Sequence, residues 1–268
     1  MKLRDARVAI TGAAGGLGFA MAERFADEGA KLFLTDVSAE GLERIKPRFP
    51  GAVFRQLDVS SPESVAAAAE AVRSEWGGLD VLVSNAGVVF GGPVTDVSVE
   101  RHRLTVDVNL TGTILVTRAF LPLMEASPDF KLVYIASASG YLPLPMAASY
   151  AATKWGVRGF AVSVEEELRL RGLGKRRVLI VCPSYIGTGL FAGARAPFLT
   201  PILKTERVAT AVVSGVRRNL RLIDLPESVH LLKALARILP DSWYRAFLRV
   251  AGVSTSMTKW TGHSGKNA

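Results

Sequence analysis

The chain has 268 residues, a formal net charge of +9, and a composition of 49% hydrophobic and 21% charged residues. This composition excludes a disordered chain and is sufficient for one large α/β domain with a sizeable core. The single cysteine, Cys182, excludes an intrachain disulfide and fits a reducing compartment. The first residues lack the apolar segment of a signal peptide, and no stretch approaches the roughly 18 uncharged apolar residues of a spanning helix. We therefore expect a cytoplasmic protein, soluble or peripheral to a membrane.

Short apolar runs alternate with helical patterns along the chain. The strands are predicted at 7–11, 31–35, 52–56, 80–84, 131–136 and 177–182, with an edge strand at 221–225. The helices are predicted at 16–28, 38–47, 62–75, 98–124, 150–171 and 204–219. Most strands are continuous apolar runs, as expected for strands that helices cover on both faces. The alternation predicts a Rossmann-type doubly wound parallel sheet of about seven strands flanked by helices, with a C-terminal helical extension.

The predicted domain organisation is simple, because neither a linker nor an internal repeat interrupts the pattern. One dinucleotide-binding catalytic domain is predicted over 1–225 and an amphipathic helical extension over 226–260. The last residues, 261–268, are predicted to be a disordered tail.

A glycine-rich turn follows the first strand. In TGAAGGLG, the residues Gly12, Gly16 and Gly18 fit the pattern T-G-x-x-x-G-x-G, and Gly15 is an additional glycine. Such a turn needs a positive φ and lets the backbone approach a pyrophosphate, while the following helix N-terminus supplies free N–H groups. The pattern therefore predicts a dinucleotide-binding site.

Asp36 ends the second strand, 18 residues after Gly18. A carboxylate there can accept hydrogen bonds from both ribose hydroxyls of an adenosine and would repel a 2′-phosphate. No Arg or Lys is adjacent to Asp36 or lies within 12–18. The sequence thus favours NAD over NADP, while a helix N-cap is the alternative interpretation of Asp36.

Further motifs follow in a characteristic order. They are TGAAGGLG, Asp58, SNAG (84–87), Asn109, Ser137, YAATK (150–154) and PSYIGT (183–188). Their order and spacing over roughly 5–190 resemble the short-chain dehydrogenase/reductase family. The resemblance implies a nicotinamide-dependent oxidoreductase that works as a homodimer or homotetramer, paired through the helices at 98–124 and 150–171.

The resemblance also implies roles around the cofactor. Asp58 would accept a hydrogen bond from the adenine amino group, helped by the Val59 backbone. The stretch 84–87 would support the adenosine ribose, with Ser84 replacing the family's usual asparagine, and 183–188 would bind the nicotinamide carboxamide. The implied cofactor-binding residues are Gly12, Gly15, Gly16, Leu17, Gly18, Asp36, Asp58, Val59, Asn85, Ala86, Gly87, Tyr150, Lys154, Pro183, Ile186 and Thr188.

Tyr150 and Lys154 are four residues apart, so a helix would place both on one face. A phenol with a pKa near 10 is poorly suited to proton transfer at neutral pH, and a nearby cation would lower that pKa. Taken alone, the pair could be an ordinary exposed helix face. By resemblance, Tyr150 is the general acid/base, Ser137 holds the substrate oxygen, and Asn109 anchors a water that relays protons from Lys154. Ser139 competes with Ser137, but its spacing from Tyr150 does not match the family.

The predicted substrate pocket is apolar. Its proposed residues are Val89, Phe90, Ser139, Tyr141, Met146, Tyr185, Leu190 and Phe191, with Leu142, Leu144 and Phe198 from the same stretches. Few charges accompany them, which indicates a lipophilic alcohol or ketone. The resemblance implies a secondary alcohol of steroid, retinoid or lipid type, because family members that act on such molecules carry comparable hydrophobic tails. Arg195 keeps an acyl-carrier or other anionic substrate open as an alternative.

The C-terminal part is basic. Residues 191–268 hold 12 Lys and Arg against 4 Asp and Glu, whereas 1–190 hold 21 against 20. Two short amphipathic helices are predicted at 226–241 and 242–252. They could dock on the domain or on a neighbouring subunit, cover the pocket mouth, contact an anionic membrane, or bind a partner or acyl carrier. Nucleic acid is not expected, because no aromatic residues interleave with a basic face. No metal site is expected either, since His102, His230 and His263 lack ligand spacing.

Together these features predict an NAD-dependent oxidoreductase for a small lipophilic substrate. An NADP(H)-dependent carbonyl or 3-oxoacyl reductase is the alternative within enzymes. A nucleotide-binding regulatory protein without turnover is the alternative of another class, and the complete set of Asn109, Ser137, Tyr150 and Lys154 speaks against it.

Overall fold

The computed structural model describes residues 1–174 and 177–262. His263 and all but the first two residues of the predicted tail 261–268 lie outside the described residues. The strands are β1 (Arg7–Thr11), β2 (Lys31–Asp36), β3 (Val53–Gln56), β4 (Val81–Ser84), β5 (Lys131–Ile135), β6 (Val178–Pro183) and β7 (Leu222–Leu225). The helices are α1 (Gly16–Asp27), α2 (Ala39–Ile45), α3 (Pro62–Trp76), α4 (Val99–Val106), α5 (Gly112–Met124), α6 (Ala148–Leu170), α7 (Thr205–Arg217), α8 (Ser228–Ile238) and α9 (Asp241–Val250).

The seven strands of the described chain form one parallel sheet in the order β3-β2-β1-β4-β5-β6-β7. The order reverses between β1 and β4, which makes the carboxyl ends of these two strands the switch point where open α/β sheets bind ligands. The predicted fold class, a doubly wound Rossmann-type sheet, is confirmed.

Both faces of the sheet are covered, which explains why the strands are continuous apolar runs. In β1, Val8 and Ile10 point into the core under α1 and α7, whereas Ala9 points into the core under α3, α5 and α6. Cys182 is buried in the second core without a disulfide partner, as expected for a packed strand residue.

The predicted helix at 98–124 contains a distortion that its periodicity did not indicate. A π-helical turn, Asp107–Thr111, joins α4 to α5 and contains Asn109. By length and composition alone, the continuous helix Val99–Met124 could also cross a membrane. Helices that pack in a core pass the same test, and Phe120 and Met124 of this helix are buried against the sheet.

The C-terminal helices α8 and α9 pack against the rest of the chain. Leu232, Tyr244 and Leu248 form a buried cluster with Leu142, which precedes α6. In the middle of α8, the ammonium of Lys233 lies 2.6 Å from the carboxylate of the buried Asp224 in β7. The extension therefore docks on the domain, while the predicted boundary between 225 and 226 remains a prediction.

Candidate active site

The glycine turn between β1 and α1 has a backbone conformation in which two segments of the chain approach each other closely. Gly12 has a φ of 67°, and a Cβ on Gly18 would lie 2.0 Å from the Gly12 carbonyl oxygen. Gly15 is the extended residue at the start of α1, and the side chain of Leu17 packs in the core. Only glycine satisfies these constraints at Gly12 and Gly18, and the turn leaves its backbone accessible as a phosphate would require.

A threonine that the motif analysis did not assign joins the turn to β4. The Thr11 hydroxyl accepts hydrogen bonds from the backbone N–H groups of Asn85 (3.0 Å) and Ala86 (3.1 Å). The Asn85 amide in turn donates to the Thr11 carbonyl at 2.9 Å. The only sequence signal was the position of Thr11 immediately before the glycine turn. Beside this junction, the Ser84 hydroxyl donates to Thr113 at 3.2 Å.

Asp36 lies at the carboxyl end of β2, next to the glycine turn. Its carboxylate accepts backbone N–H groups from Ala14 (3.0 Å) and Ser38 (3.0 Å), and Ser38 itself caps α2. The alternative interpretation of Asp36 as a helix N-cap is therefore wrong. Arg44 also reaches this corner, because its guanidinium donates to the Ala14 carbonyl at 3.3 Å. The sequence analysis did not identify this cation, because Arg44 lies eight residues after Asp36, in the last turn of α2.

The next two predicted cofactor positions follow β3. One oxygen of the Asp58 carboxylate accepts from the Ser60 backbone (2.8 Å) and hydroxyl (2.6 Å). Val59 is buried against Gly112, where a Cβ would approach it to 2.7 Å. The loop after β3 is thus held rigidly at the edge of the same crevice.

The loop after β6 closes on the glycine turn. Ile186 pairs with Leu203 in a short parallel bridge, and the Thr188 N–H donates to the Ile186 carbonyl at 2.8 Å. The Thr188 side chain lies against Gly16, where a Cβ would be 3.2 Å away. The Pro183 carbonyl faces Ser137, whose hydroxyl lies 3.4 Å from it. The glycine turn, Asp36 and this loop therefore all lie at the carboxyl edge of the sheet, where open α/β sheets bind their ligands.

Tyr150 and Lys154 are both buried on α6 and face the end of β5. The Lys154 ammonium lies 5.5 Å from the centre of the Tyr150 ring and donates to the Ile135 carbonyl at 2.9 Å. The Tyr150 phenol is hydrogen-bonded to Ser137, which also accepts the Ser139 N–H at 3.1 Å. The structure thus brings Ser137, Tyr150 and Lys154 together, and the pair is not an ordinary exposed helix face.

Asn109 sits behind Lys154 in the π-helical turn. Its amide oxygen accepts the Val88 N–H at 2.8 Å, and its amide nitrogen donates to the Val88 carbonyl and to the Thr153 hydroxyl. A Cβ on Gly87 would lie 3.2 Å from the Asn109 amide oxygen and 3.7 Å from the Lys154 ammonium. The Asn109 amide therefore holds the strand-end loop through Val88 and α6 through Thr153, the residue next to Lys154.

Burial shifts the pKa values of both members of the pair. Burial raises the pKa of Tyr150 above its usual value, and the hydrogen bond with Ser137 opposes this rise. Burial also lowers the pKa of Lys154 from 10.5 to about 8. Burial therefore dominates the pKa of Tyr150 in the chain itself, and the lowering of this pKa by Lys154 and an oxidised nicotinamide stays a prediction.

An open cavity of about 420 Å³ borders the Ser137 hydroxyl. It is lined by Ser137, Ala138, Ser139, Leu142, Pro143, Leu144, Ser184, Tyr185, Phe191, Pro197, Thr200 and Val253. Of the predicted pocket residues, Ser139, Leu142, Leu144, Tyr185 and Phe191 line it. Val89, Met146 and Leu190 pack in the apolar cluster around Tyr150.

Three other predicted pocket residues lie elsewhere. The guanidinium of Arg101 covers the Phe90 ring at 5.4 Å from its centre. The Tyr141 ring is held between the cations of Arg158 (3.4 Å) and Lys233 (4.1 Å). Phe198 is 90% exposed. Their positions in the sequence were right for pocket loops, but the path of each loop turns these side chains away from the cavity.

A C-terminal strap, residues 253–262, completes the wall of this region and was not predicted. The Tyr185 hydroxyl donates to Ser256 at 2.6 Å, and the Trp260 indole donates to the Leu190 carbonyl at 3.1 Å. The Trp260 ring lies on Gly91, where a Cβ would be 2.5 Å away. The only sequence signal for the strap is the presence of glycines such as Gly91, which have no side chain and so leave room for it.

The strap supports the aromatic group that faces Tyr150. The Phe191 ring makes edge contacts with Tyr150, at 5.7 Å between ring centres, and with Tyr185, at 5.3 Å. Met257 of the strap is buried in the same cluster. Through Tyr185, Ser256 therefore fixes one side of the apolar environment around the phenol.

The fold and the site together define a nicotinamide-nucleotide oxidoreductase of Rossmann type. Residues 6–197 match the family described as short chain dehydrogenase, and the chain belongs to that family.

Two human relatives illustrate the similarity. Estradiol 17-beta-dehydrogenase 11 is 30% identical over 250 residues, covering 92% of this chain and 83% of the relative. Epidermal retinol dehydrogenase 2 is 33% identical over 240 residues, covering 87% of this chain and 78% of the relative.

A solved structure of a short chain dehydrogenase/reductase from Burkholderia phymatum in complex with NAD is similar in fold. It superposes with a TM-score of 0.77 and 26% identity, covering 88% of this chain and 95% of that one. The family assignment therefore rests on sequence and fold together.

Proposed function

We propose that this enzyme interconverts a lipophilic secondary alcohol and its ketone with NAD as cofactor, and that Tyr150 is the general acid/base. The observation that carries the proposal is the buried group of Ser137, Tyr150 and Lys154 beside an apolar cavity. Proton transfer needs the acid/base within about 3 Å of the substrate oxygen, and Ser137 and Tyr150 already share a hydrogen bond from which such an oxygen can be held.

The dinucleotide would lie across the crevice at the switch point. The glycine turn would hold its pyrophosphate and Asp36 its adenosine ribose, while Asp58 and Val59 would flank the adenine. Ile186 and Thr188, in the loop after β6, would hold the carboxamide. NAD is favoured because the Asp36 carboxylate retains lone pairs for ribose hydroxyls and would repel a 2′-phosphate. The Arg44 guanidinium, by contrast, would attract a 2′-phosphate, so NADP remains the alternative cofactor.

When bound, the dinucleotide supplies or accepts the hydride. The chain's own residues handle the proton and the oxygen. Ser137 donates a hydrogen bond to the substrate oxygen and stabilises the charge that develops there. Tyr150 gives its proton to that oxygen in reduction and receives it in oxidation, while the Lys154 ammonium and an oxidised nicotinamide favour the phenolate. Asn109 keeps Lys154 in place through the loop that carries Gly87 and supports the proposed proton relay.

The substrate class follows from the lining of the cavity. Leu142, Leu144 and Phe191 present apolar surface, and the buried Ser139 hydroxyl has no hydrogen-bond partner within the described chain. We infer a largely apolar molecule with a second polar group that Ser139 can bind. The names of the estradiol and retinol dehydrogenase relatives agree with this class. A 3-oxoacyl substrate is the alternative, with the exposed Arg195 available for its anionic carrier.

Exchanging Tyr150 for phenylalanine tests the reaction. Tyr150→Phe should reduce turnover of a panel of secondary alcohols, followed as NADH absorbance, by at least about a hundredfold, the usual range for removing a general acid/base. Its stabilisation by NAD in a thermal shift assay should remain. The control is Tyr244→Phe, which removes another buried phenol hydroxyl, one that lies in the extension and has no hydrogen-bond partner among the described residues.

Retained turnover in Tyr150→Phe would contradict the mechanism. Absence of turnover in the wild type, with NAD still bound, would favour a regulatory nucleotide-binding protein. Stronger stabilisation by NADP than by NAD would contradict the role given to Asp36.

We also propose a homodimer or homotetramer in a reducing compartment, free in the cytoplasm or peripheral to a membrane. Family members typically form oligomers, and the long helices α4–α6 leave Leu104, Ile114, Trp155 and Val162 exposed. Trp155 and Val162 are seven residues apart on α6 and share one face, which suits pairing with a second copy. Light scattering of the wild type and of Trp155→Glu tests this, and an unchanged mass would exclude that face from the interface.

A further inference from the structure

The C-terminal helices carry a second apolar surface that faces water. On α8, Leu231 and Ile238 are exposed, and on α9 Trp243 and Val250 are exposed. Each pair is seven residues apart, so each forms a stripe along one side of its helix. Phe198 joins this surface, because its backbone N–H donates to the carbonyl of Ala251, directly after α9. We call these five side chains the tail face.

The tail face is distinct from the side of the helices that docks on the domain. Leu232 of α8 and Tyr244 and Leu248 of α9 are already buried inward. Phe198 and Val250 are each 90% exposed, and Trp243 is 69% exposed. Isolated exposed apolar residues are normal, but a group of this size on neighbouring elements marks an interaction site.

The charges beside the tail face indicate what it binds. The segment 228–250 holds four basic residues and one acidic residue. Lys233 and Arg245 pair with acidic side chains, whereas Arg237 and Arg249 make no ion pair within the described residues and are exposed. By contrast, α6 holds three basic and three acidic residues beside Trp155 and Val162. The neutral α6 face suits a second copy of this chain, and the cationic tail face suits an anionic surface.

The tail face also adjoins the substrate cavity. Pro197 and Thr200, on either side of Phe198, line the cavity, and so does Val253, just after α9. A surface that binds the tail face would therefore lie next to the cavity wall. A lipophilic molecule dissolved in a bilayer would have only a short path to Ser137.

We propose that the tail face docks on the surface of an anionic phospholipid membrane. Trp243, Phe198 and Val250 enter the interface, where amphipathic helices bury their apolar side, and Arg237 and Arg249 contact lipid phosphates. Docking itself does not depend on the proposed reaction. Only its consequence, delivery of lipophilic substrate from the bilayer to the cavity, rests on the proposed function.

Flotation of the full chain with vesicles tests the docking. Vesicles of phosphatidylcholine with about 30% phosphatidylserine should bind the protein at least ten times more tightly than pure phosphatidylcholine vesicles. The double variant Phe198→Asp, Val250→Asp should lose at least ten-fold in binding. The matched control is Leu170→Asp at the end of α6, a residue that is also highly exposed and lies outside the tail face.

Two further variants separate the apolar and the electrostatic contributions. Arg237→Glu and Arg249→Glu should each weaken binding roughly five-fold at low salt, with a smaller loss at high salt. Trp243 should report contact directly, because tryptophan emission shifts to shorter wavelength when its ring leaves water. The shift on adding anionic vesicles should disappear in Trp243→Phe while binding persists.

The proposal is overturned if the wild type does not bind anionic vesicles, or if the double variant and Leu170→Asp bind equally. If the double variant instead changes the mass measured by light scattering without lipid, the tail face is a contact between copies. Unfolding curves and NAD-induced stabilisation of each variant confirm that the fold is intact. A protein that binds vesicles but turns over no alcohol would support the docking and contradict only the proposed function.

Discussion

The attachment of the C-terminal extension gives a sharp prediction, because two adjacent leucines on α8 differ almost only in burial. Leu232 is fully buried between Leu142, Tyr244 and Leu248, whereas Leu231 is 51% exposed. Replacing a buried leucine by alanine usually costs about 2–5 kcal/mol through lost burial and a residual cavity. Replacing an exposed one usually changes the free energy of unfolding by less than about 0.5 kcal/mol.

Leu232→Ala should therefore lower the free energy of unfolding by about 2–5 kcal/mol and Leu231→Ala by less than about 0.5 kcal/mol. In a chain of this size each kcal/mol shifts the melting temperature by about 2–4 °C. The assay is urea unfolding followed by circular dichroism, with the denaturant slope m compared between the variants. An unchanged slope would show that the extension unfolds together with the domain.

Two results would contradict the dependence of the extension on the buried face of α8. The first is an equal and small effect of both substitutions, which would mean that α8 does not depend on its buried face. The second is an early separate transition of the extension with the main transition unchanged, which would mean that 226–260 is an independent appendage. If α8 is held by its buried face, removing 226–268 should destabilise the whole chain, because the cluster around Leu142 and the buried carboxylate of Asp224 would both lose their partners.

Three further predictions concern the site. Gly18→Ala should abolish stabilisation by NAD in a thermal shift assay, because the added Cβ would lie 2.0 Å from the Gly12 carbonyl oxygen. The control is Gly159→Ala, where the added Cβ would meet no neighbouring atom of the described residues within 4 Å, and this variant should bind NAD normally. Burial lowers the pKa of Lys154 from 10.5 to about 8, so between these values the unfolded chain holds a proton that the folded chain has released, and stability should rise with pH. This slope, measured as urea midpoints, should be smaller in Lys154→Met, and an unchanged slope would contradict the burial of the ammonium. Trp260→Ala should raise KM for a lipophilic alcohol more than it lowers kcat, and an equal change in Trp155→Ala would contradict a local role of the strap.

Local patterns in the sequence were sufficient to predict the strands of the sheet. The continuous apolar runs predicted every strand of the described chain to within one or two residues. This succeeded because strands that helices cover on both faces are mostly apolar, so their burial shows in the composition. Among the polar exceptions are the exposed Arg55 and Gln56 of β3 and the buried Lys131 of β5 and Asp224 of β7. The alternation with helices then predicted a parallel doubly wound sheet with right-handed crossovers, whereas the strand order was not predicted and comes from the structure. The π-helical turn at Asp107–Thr111 escaped prediction, since its apolar periodicity differs little from that of an α-helix.

The position of Asn109, Ser137, Tyr150 and Lys154 along the chain predicted a site, and the structure brings all four together. The pKa values of these side chains could not be predicted in the same way. The pKa of Tyr150 depends on how completely the surrounding segments exclude water, and these include Phe191 and the strap, which come from distant parts of the sequence. Desolvation is a property of the whole environment and leaves no local pattern.

The amino-acid sequence is sufficient to predict the sheet, the glycine turn and which residues lie at the switch point, because each of these features depends on spacing within a short stretch of chain. The folded chain is needed to show that Phe198 faces water while Val253 lines the cavity, and that Trp260 lies over Gly91. These arrangements join segments more than 50 residues apart, or depend on the path of a loop, and therefore leave no local pattern in the sequence. Apolar composition states that a side chain will be buried somewhere, but only packing decides where.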